Sequence, residues 1–343
     1  MKGRFRFAVN SKRISYEFTL NRNITIIKGN SGTGKTTLLQ MMYEYLLSGK
    51  QSGYTVNTNA NNYFVYLRAA VGRSWEDDLL SLENTVIFIE ENNDFIFSKE
   101  FARFVGESGN YFVLVTRRAI KTLPYSVQEI YEISTDKVIG TYHRFEKIYS
   151  NFSQFRQHTI DTVVTEDSKS GFQFYSKLYA NKKVITSYGN AKIVNTVLSS
   201  DGKNLFVIAD GAAFGPLIED FISMFDNESS KCVVLWAPES FEYLIIKSGV
   251  LGDNRFKDIL ENTSNYVDSK YYVSWERYFT DLLVDSTKDS YKAYSKDTLN
   301  AFYLKEQVVD KIAITIPSAL QPVVSNMNLF YAGERSLTSF FVR

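Results

Sequence analysis

The sequence predicts an α/β protein with two domains and a mainly helical C-terminal extension. Short β-branched runs alternate with helix-like stretches in two separate parts of the chain, a pattern that is typical of parallel strand–helix–strand units. A polar segment without periodicity, 151–160, separates the two parts and is predicted to be a linker. The length of 343 residues agrees with two domains, because one domain takes about 100–200 residues.

The first domain, 1–150, is predicted to contain a parallel sheet. Its helix Thr36–Leu47 has apolar residues at helical spacing, and a shorter helix is expected at Phe101–Val105. The Gly- and Asn-rich stretch Ser48–Asn62 is expected to be a loop. The strands are predicted at Arg4–Val9, Ile14–Leu20, Asn23–Lys28, Tyr63–Leu67, Thr85–Ile89, Tyr111–Val115 and Glu129–Ile133.

The second domain, 161–245, repeats the alternation, and the remaining residues, 246–343, are predicted to form the helical extension. Because strands again alternate with helices, a second parallel sheet is expected. Its strands are predicted at Asp161–Thr165, Lys183–Ser187, Asn204–Ala209 and Lys231–Trp236. Its helices are predicted at Gly171–Ala180, Ala191–Leu198 and Pro216–Phe225.

The composition excludes several classes of protein. The chain has 39 Lys and Arg against 38 Asp and Glu, so a strongly basic nucleic-acid binder is not expected. One cysteine and two histidines exclude a disulfide framework and a Cys- or His-based metal centre. The first residues lack the apolar run of a secretory signal, and no stretch approaches the roughly 18 apolar residues of a membrane helix. A cytoplasmic protein without membrane contact is therefore expected.

Residues 29–36 (GNSGTGKT) match the pattern G-x-x-x-x-G-K-[ST] in full, between an apolar strand and a helix. Glycines in this pattern let backbone amides surround a β-phosphate, and the helix N-terminus adds partial positive charge. Lys35 is expected to reach the β- and γ-phosphates, and the Thr36 hydroxyl to bind Mg²⁺. Guanine recognition needs an N-K-x-D element, and 181–184 (NKKV) lacks the Asp, so ATP is expected. The nucleotide-binding residues are predicted to be Gly29, Asn30, Ser31, Gly32, Thr33, Gly34, Lys35, Thr36 and Thr37.

Acidic and polar residues follow two further strands of the first domain. After Thr85–Ile89, Glu90 is expected to hold Mg²⁺ through water and Glu91 to orient the attacking water. The usual pair is Asp-Glu, and the alternative is that these acids only end the strand. Thr116 is the polar residue at the end of the strand Tyr111–Val115.

The two arginines after Thr116 have two interpretations. Arg117 or Arg118 stabilises transition-state charge, within one chain or across a dimer, or both form a solvated basic turn.

The segment from Phe5 to Glu91 resembles the P-loop ATPases of the AAA and ABC superfamilies. The resemblance implies ATP binding and hydrolysis, with Lys35, Glu91 and Thr116 as catalytic residues. It also implies that Thr116 senses the γ-phosphate, as a polar residue at this strand end does in P-loop ATPases with an extra strand between the loop strand and the acidic strand. It also implies a homo-oligomer, because ATPases of this kind often complete their sites across subunits.

Acids also follow the strands of the second domain. Glu166 follows the first strand, Asp210 follows the third, and Glu239 and Glu242 follow the fourth. Because parallel strands end at the same edge of a sheet, these carboxylates are expected to converge on one crevice. Such a cluster holds Mg²⁺ or Mn²⁺ against phosphates. The alternative is that they are ordinary acidic turns, since Asp-Gly is a common turn dipeptide.

This order resembles the TOPRIM domain of topoisomerases, primases and the overcoming-lysogenization-defect (OLD) nucleases, where a Glu follows the first strand and D-x-D the third. Glu166 and Asp210 match the pattern, and Ala212 stands where the second Asp belongs. The resemblance implies Glu166, Asp210 and Glu242 as catalytic residues and Glu166, Asp210 and Glu239 as metal ligands. An ATPase domain followed by a TOPRIM-like domain is also the OLD architecture.

Two functions follow from these resemblances. In the first, ATP gates a Mg²⁺-dependent nuclease, as in systems of defence against phage or mobile DNA. In the second, ATP drives a switch, and the degenerate TOPRIM-like domain is a non-catalytic platform for a protein or nucleic-acid partner. The first function requires Glu166 and Asp210 to lie close together.

Overall fold

The computed structural model describes residues 1–30, 32–136, 141–149, 160–224, 231–316 and the backbone of 329–332. The chain forms two compact units. Unit 1 comprises Met1–Tyr149 and Asn262–Val273, and unit 2 comprises Ser150–Glu261 and Ser274–Arg343. Apart from Ile160, the predicted linker lies outside the described residues. Within the described ranges, no helix is both long enough and apolar enough to cross a membrane.

The described part of unit 1 contains a nine-stranded mixed sheet. Its strands are β1 (Phe5–Asn10), β2 (Ser15–Leu20), β3 (Ile24–Lys28), β4 (Thr55–Thr58), β5 (Asn62–Tyr66), β6 (Thr85–Ile89), β7 (Tyr111–Val115), β8 (Ile130–Thr135) and β9 (Tyr142–Lys147). They lie in the order β4-β1-β2-β9-β8-β3-β7-β6-β5. Each strand predicted for this region is therefore present.

The prediction of a wholly parallel sheet in this region is wrong. The strands from β8 to β5 are parallel neighbours, whereas β1 pairs antiparallel with β2 and β4, and β8 pairs antiparallel with β9. The reason lies in the connections. β1 and β2 are joined by a short turn in which the Ser11 amide donates to the Ile14 carbonyl (2.8 Å). A connection this short joins antiparallel strands only, because a parallel pair needs a crossover.

Two strands of unit 1 were missed by the sequence patterns. The predicted loop Ser48–Asn62 contains β4, so that prediction is wrong over Thr55–Thr58. β4 is a polar edge strand in which Val56 is buried, and its pairing with β1 is a contact between distant parts of the chain. β9 is similarly polar and is held between β2 and β8. Local composition carries little signal for strands of this kind, because their partners supply the stabilisation.

The helices of unit 1 pack on this sheet. They are α1 (Lys35–Ser48), α2 (Trp75–Leu79) and α3 (Lys99–Glu107). α1 buries four apolar side chains in a core cluster shared with the sheet: Leu38, Leu39, Met41 and Met42. Burying a side chain of this size contributes about 1.5–3 kcal/mol, which fixes the start of α1 against the end of β3.

Unit 2 is built on a five-stranded sheet. Its strands are β10 (Thr162–Thr165), β11 (Lys183–Thr186), β12 (Asn204–Ile208), β13 (Cys232–Trp236) and β14 (Leu329–Ala332). They lie in the order β11-β10-β12-β13-β14, and the first four are parallel, as predicted. β14 pairs antiparallel with β13, so the extension predicted to be mainly helical also supplies a strand.

Seven helices surround the sheet in the described part of unit 2. They are α4 (Ser170–Leu178), α5 (Ile193–Ser199), α6 (Ile218–Ser223), α7 (Phe241–Lys247), α8 (Arg255–Glu261), α9 (Trp275–Thr287) and α10 (Glu306–Ala313). A core of large aromatic side chains joins strands and helices: Phe174, Phe206, Trp236, Phe241 and Phe279. Residues 262–273, which interrupt this set, belong to unit 1.

Candidate functional sites

The glycine-rich loop, residues 29–36, connects the end of β3 to the start of α1. Gly29, Gly32 and Gly34 have φ angles of 128°, 84° and 91°, in the region that L side chains rarely adopt. At Gly34 a Cβ atom would also lie 2.7 Å from the hydroxyl of Tyr16. Both the backbone conformation and the space therefore require glycine here. Ser31 lies outside the described residues.

Lys35 is folded back over this loop. Its ammonium donates to the carbonyls of Gly29 (2.8 Å) and Asn30 (2.7 Å) and to the Thr33 hydroxyl (3.0 Å). Burial lowers the pKa of Lys35, while the nearby carboxylate of Glu91 acts in the opposite direction. The loop thus holds a buried cation whose partners are mainly neutral oxygens, an arrangement that favours an anion.

The parallel strands bring the predicted acids to the same edge as the loop. β7 lies between β3 and β6, so all three strands end at one side of the sheet. The Thr36 hydroxyl donates to Oε1 of Glu90 at 3.2 Å. Burial raises the pKa of Glu90, and the charge of Glu91 adds to this, while the Thr36 hydrogen bond opposes it. A hydroxyl and a carboxylate in contact are an oxygen donor pair suited to Mg²⁺.

Glu91 is engaged by an arginine. The Arg117 guanidinium Nε lies 2.5 Å from Glu91 Oε1, and both side chains are partly exposed. Arg118 instead pairs with Asp94 (2.8 Å) and lies over the Phe97 ring. The sequence left two interpretations open for Arg117 and Arg118. In the structure the two differ, because Arg117 contacts the predicted catalytic acid Glu91 and Arg118 contacts Asp94.

Thr116 is buried, and its hydroxyl forms hydrogen bonds within its own turn. The hydroxyl accepts from the Arg118 amide (3.1 Å) and donates to the Arg118 carbonyl (2.9 Å). It lies at the end of β7, at the same edge as Glu90 and Glu91.

Tyr16, which sequence patterns did not single out, supports the glycine-rich loop. Its hydroxyl donates to the Gly34 carbonyl (3.0 Å) and also bonds the Thr37 side chain. Burial raises its pKa to about 12, and its ring stacks on His143. The contact joins β2 to α1 over a long sequence distance, so no local motif reveals it.

In unit 2 the carboxyl ends of β10 and β12 bring Glu166 and Asp210 together. The two side chains share a hydrogen bond, and both are partly buried. β10 is followed by a crossover to β11 on one side, whereas β12 lies on its other side, and such a reversal opens a crevice at the strand ends.

The titration of this pair is strongly shifted. Burial raises the pKa of Asp210 well above its usual range, and Glu166 is the carboxylate that adds most to this. Burial also raises the pKa of Glu166, and the charge of Glu276 adds to it. Two hydrogen-bonded carboxyl groups in such surroundings hold a shared proton more readily than two negative charges.

Further polar side chains surround the pair. Glu242 is buried, and its Oε1 accepts from the Tyr294 hydroxyl at 2.8 Å. Lys296 donates to Glu276 at 2.7 Å, and its ammonium opposes the raised pKa of Asp210. The cluster therefore combines four carboxyl groups and one ammonium.

The Tyr175 hydroxyl is buried beside this cluster. The charges of Asp210, Asp167 and Glu242 all act to raise the pKa of Tyr175, behind the larger effect of burial. Among the described residues, this hydroxyl has no hydrogen-bond partner. A buried polar atom left in this way needs an explanation, and an additional ligand at the cluster is one.

The turn after Asp210 packs closely against the turn after β13. The Gly211 amide donates to the Pro238 carbonyl at 2.5 Å, and a Cβ on Gly211 would lie 2.2 Å from the Ala237 carbonyl oxygen. Ala212, two residues after Asp210, is buried. Glu239 meets this turn through its backbone, since its carbonyl accepts from the Ala212 amide (3.4 Å).

Glu276 and Lys296 were not found by sequence reasoning. Glu276 lies in the first turn of α9, where an acid usually indicates only a favourable helix start, and Lys296 lies in a turn. Both belong to the region predicted as a helical extension. In the described part of the chain, no three His, Cys, Asp or Glu side chains are placed to hold a metal ion together.

The two groups of residues differ in chemistry. The group in unit 1 combines a glycine-rich loop, an ammonium, a hydroxyl and two acids, whereas the group in unit 2 is dominated by carboxyl groups. Both lie at the carboxyl edge of parallel strands, where α/β proteins bind their ligands. Comparison of the chain with protein-family models, with curated proteins and with solved structures gave no match.

Proposed function

We propose that unit 1 binds ATP with Mg²⁺ and hydrolyses it. The observation that carries the proposal is the contact between the Thr36 hydroxyl and Glu90 (3.2 Å), on a loop that also holds Lys35 over its carbonyls. Lys35 and Thr36 are neighbours in the glycine-rich motif, whereas Glu90 follows β6 in a separate part of the chain and meets them through Thr36. A lysine, a hydroxyl and an acid in that arrangement suit a triphosphate and its metal ion.

The residues of unit 1 have distinct roles in this proposal. Lys35 exchanges its loop carbonyls for phosphate oxygens, and Thr36 and Glu90 hold the metal ion directly or through water. The metal ion neutralises charge on the phosphates when it is bound. Glu91 orients the attacking water once Arg117 has released it, and Arg117 is then available to the γ-phosphate. The Arg117–Glu91 ion pair is thus expected to keep the nucleotide-free site inactive.

This proposal is tested by ATP binding and turnover of the full chain with Mg²⁺. Lys35→Ala is expected to reduce turnover by about 100- to 1000-fold, because the main positive charge on the phosphates is lost. Glu91→Gln is expected to keep ATP bound without hydrolysing it, because an amide does not accept the proton of water. Lys50→Ala, an exposed lysine beyond the other end of α1, is the control and leaves turnover unchanged. Normal hydrolysis by Glu91→Gln contradicts the role of Glu91.

A second function is proposed for unit 2: cleavage of phosphodiester bonds with Mg²⁺ or Mn²⁺, gated by ATP. It is supported by the hydrogen bond between Glu166 and Asp210 and by the Tyr175 hydroxyl beside them, which has no hydrogen-bond partner among the described residues. Mg²⁺ often binds through one or two carboxylates and keeps several waters, so this pair is a sufficient protein contribution. The alternative is a TOPRIM-like platform that binds a partner without catalysis.

The second function is tested with supercoiled plasmid, linear DNA and RNA, with Mg²⁺ or Mn²⁺, and with or without ATP. The double variant Glu166→Ala/Asp210→Ala is expected to abolish cleavage and to leave ATP turnover intact. Asp201→Ala, at a side chain that is 95% exposed before β12, is the matched control. If the double variant cleaves as the wild type does, the cluster is not the site of cleavage. If no substrate is cleaved, the platform alternative is favoured.

A further inference from the structure

The loop that follows β11 carries an exposed aromatic side chain, one residue before a backbone contact with Glu166. Tyr188 lies in this loop, residues 187–192, and 71% of its surface is exposed. The next residue fastens the loop to the site, because the Gly189 amide donates to the Glu166 carbonyl at 3.0 Å. Since β11 is parallel to β10, the tyrosine belongs to the same edge of the sheet as the carboxylate cluster.

The backbone of this loop is held in an unfavourable state. Tyr188 has a φ of 56°, in the left-handed region that glycine and asparagine adopt more readily than tyrosine. Its amide donates to the Thr186 hydroxyl (3.0 Å), which stabilises this conformation. In the same loop, Oδ1 of Asn190 is buried and has no donor among the residues that the structure describes. Strained backbone conformations such as that of Tyr188 concentrate at sites where a ligand is bound.

The exposed groups of the loop have the chemistry of a nucleic-acid contact. Lys192 is exposed a few residues after Tyr188. Aromatic rings stack on bases and lysines attract phosphates, and proteins that bind single strands combine the two. In a duplex the bases already stack on each other, so a ring gains a base only after the duplex opens. The loop therefore favours an unpaired strand.

We propose that Tyr188 stacks on an unpaired nucleobase of the strand whose phosphate reaches Glu166 and Asp210. The inference rests on the cleavage site proposed for unit 2, and it names the substrate class as single-stranded or locally unpaired nucleic acid. Lys192 contacts a phosphate of the same strand. Tyr188 is a positioning residue, because it places the strand and does not touch the reacting atoms.

The test uses the full chain with Ca²⁺ in place of Mg²⁺, so that a cation can still join the phosphate to the carboxylates while binding is measured without cleavage. The probe is a single-stranded DNA of about 16 nucleotides with a central 2-aminopurine, whose fluorescence is quenched by stacking. Wild type is expected to bind it and to change its fluorescence. Tyr188→Ala is expected to bind about 5- to 100-fold more weakly and to lose the fluorescence change. Tyr188→Phe keeps the ring and is expected to behave as wild type.

Two further variants separate stacking from folding. Tyr291→Ala removes a tyrosine that is 73% exposed on the segment after α9, and it is expected to bind as wild type does. Tyr188→Gly relieves the left-handed backbone, so it is expected to raise the melting temperature and still to lose the fluorescence change. Loss of binding in a variant of higher stability is not a folding defect.

Three results overturn the inference: no binding of the single strand by wild type, an unchanged signal in Tyr188→Ala, or equal affinity for the matched duplex. A separate cleavage assay distinguishes this inference from the proposed function. Cleavage that depends on Glu166 but not on Tyr188 supports the proposed cleavage site and contradicts the stacking role of Tyr188. Binding that depends on Tyr188, without cleavage of any substrate, supports the stacking role and contradicts the proposed nuclease activity.

Discussion

Asp210 and Glu166 illustrate how surroundings decide the charge of a side chain. Burial and neighbouring carboxylates both disfavour ionisation, so the folded chain keeps protons on this pair that the unfolded chain releases. Between the ordinary carboxyl pKa, about 4, and the raised pKa, the folded state binds more protons than the unfolded state. The stabilisation that comes from protonation of this pair is fully present below pH 4, and it is lost as the pH rises through the raised pKa.

Replacing one member of this pair is expected to stabilise the chain at alkaline pH. Asp210→Asn removes a charge that burial disfavours, so its melting temperature at pH 8 is expected to exceed that of wild type. A gain of about 1 kcal/mol corresponds to about 2–4 °C for a unit of this size. The difference is expected to shrink as the pH falls to 5, because the raised pKa of wild-type Asp210 increasingly favours its protonated, neutral form. Calorimetry at several pH values measures it.

The exposed acid Asp201 provides the control for this measurement. Asp201 lies before β12, and its side chain is 95% exposed. Asp201→Asn is therefore expected to change the melting temperature little at either pH. If Asp210→Asn lowers the melting temperature by the same amount at pH 5 and pH 8, the shifted ionisation of Asp210 is not the cause.

Among the elements, the turns at strand ends set the geometry of both sites. In unit 2 the turns after β12 and β13 touch backbone to backbone at Gly211, whose amide donates to the Pro238 carbonyl. This contact places Asp210 at the edge of the sheet. Packing of two backbones at this separation leaves no room for a side chain, so the glycine is required by space.

Gly211→Ala is expected to destabilise the chain. The added Cβ would lie 2.2 Å from the Ala237 carbonyl oxygen and 2.8 Å from the Pro238 carbonyl oxygen, and backbone atoms do not rotate away. Overpacking of this kind costs about 1–3 kcal/mol or more. Urea unfolding followed by tryptophan fluorescence measures the change, since Trp236 ends the neighbouring strand β13.

Gly106→Ala is the matched control for this substitution. Gly106 lies in α3, and a Cβ there meets nothing within 4 Å. Alanine in a helix is about 0.5–1 kcal/mol more favourable than glycine, so this variant is expected to be unchanged or slightly more stable. Equal stability of Gly211→Ala and wild type contradicts the close approach of the two turns.

At the scale of the whole molecule, unit 1 is assembled from two distant stretches of chain. Residues 262–273 belong to it and are tied to it by hydrogen bonds at the amino ends of its strands. The Asn23 side chain donates to the Val273 carbonyl (3.1 Å), and the Ser269 hydroxyl donates to the Gly109 carbonyl (2.8 Å). The chain therefore passes from one unit to the other three times, and residues 1–149 alone lack part of unit 1.

Much of the local structure was determined by the sequence alone. Buried strands such as β3, β6 and β7 are short runs of apolar, largely β-branched residues, and α1 has apolar residues at helical spacing, so local physics identifies them. The glycine-rich loop and the acids after β6 were found in the same way, because their residue types and spacing are set by neighbours in the chain.

Only the tertiary structure decided the rest. Four kinds of contact join residues that are far apart in the chain. β4 pairs with β1 and β9 pairs with β2, and residues 262–273 belong to unit 1. Tyr16 supports Gly34, and Glu276 lies near Asp210. Contacts of this kind leave no periodic pattern or fixed spacing, since the polar side chains involved are equally common on solvated surfaces. Their chemistry appears only when folding removes them from water and brings them together.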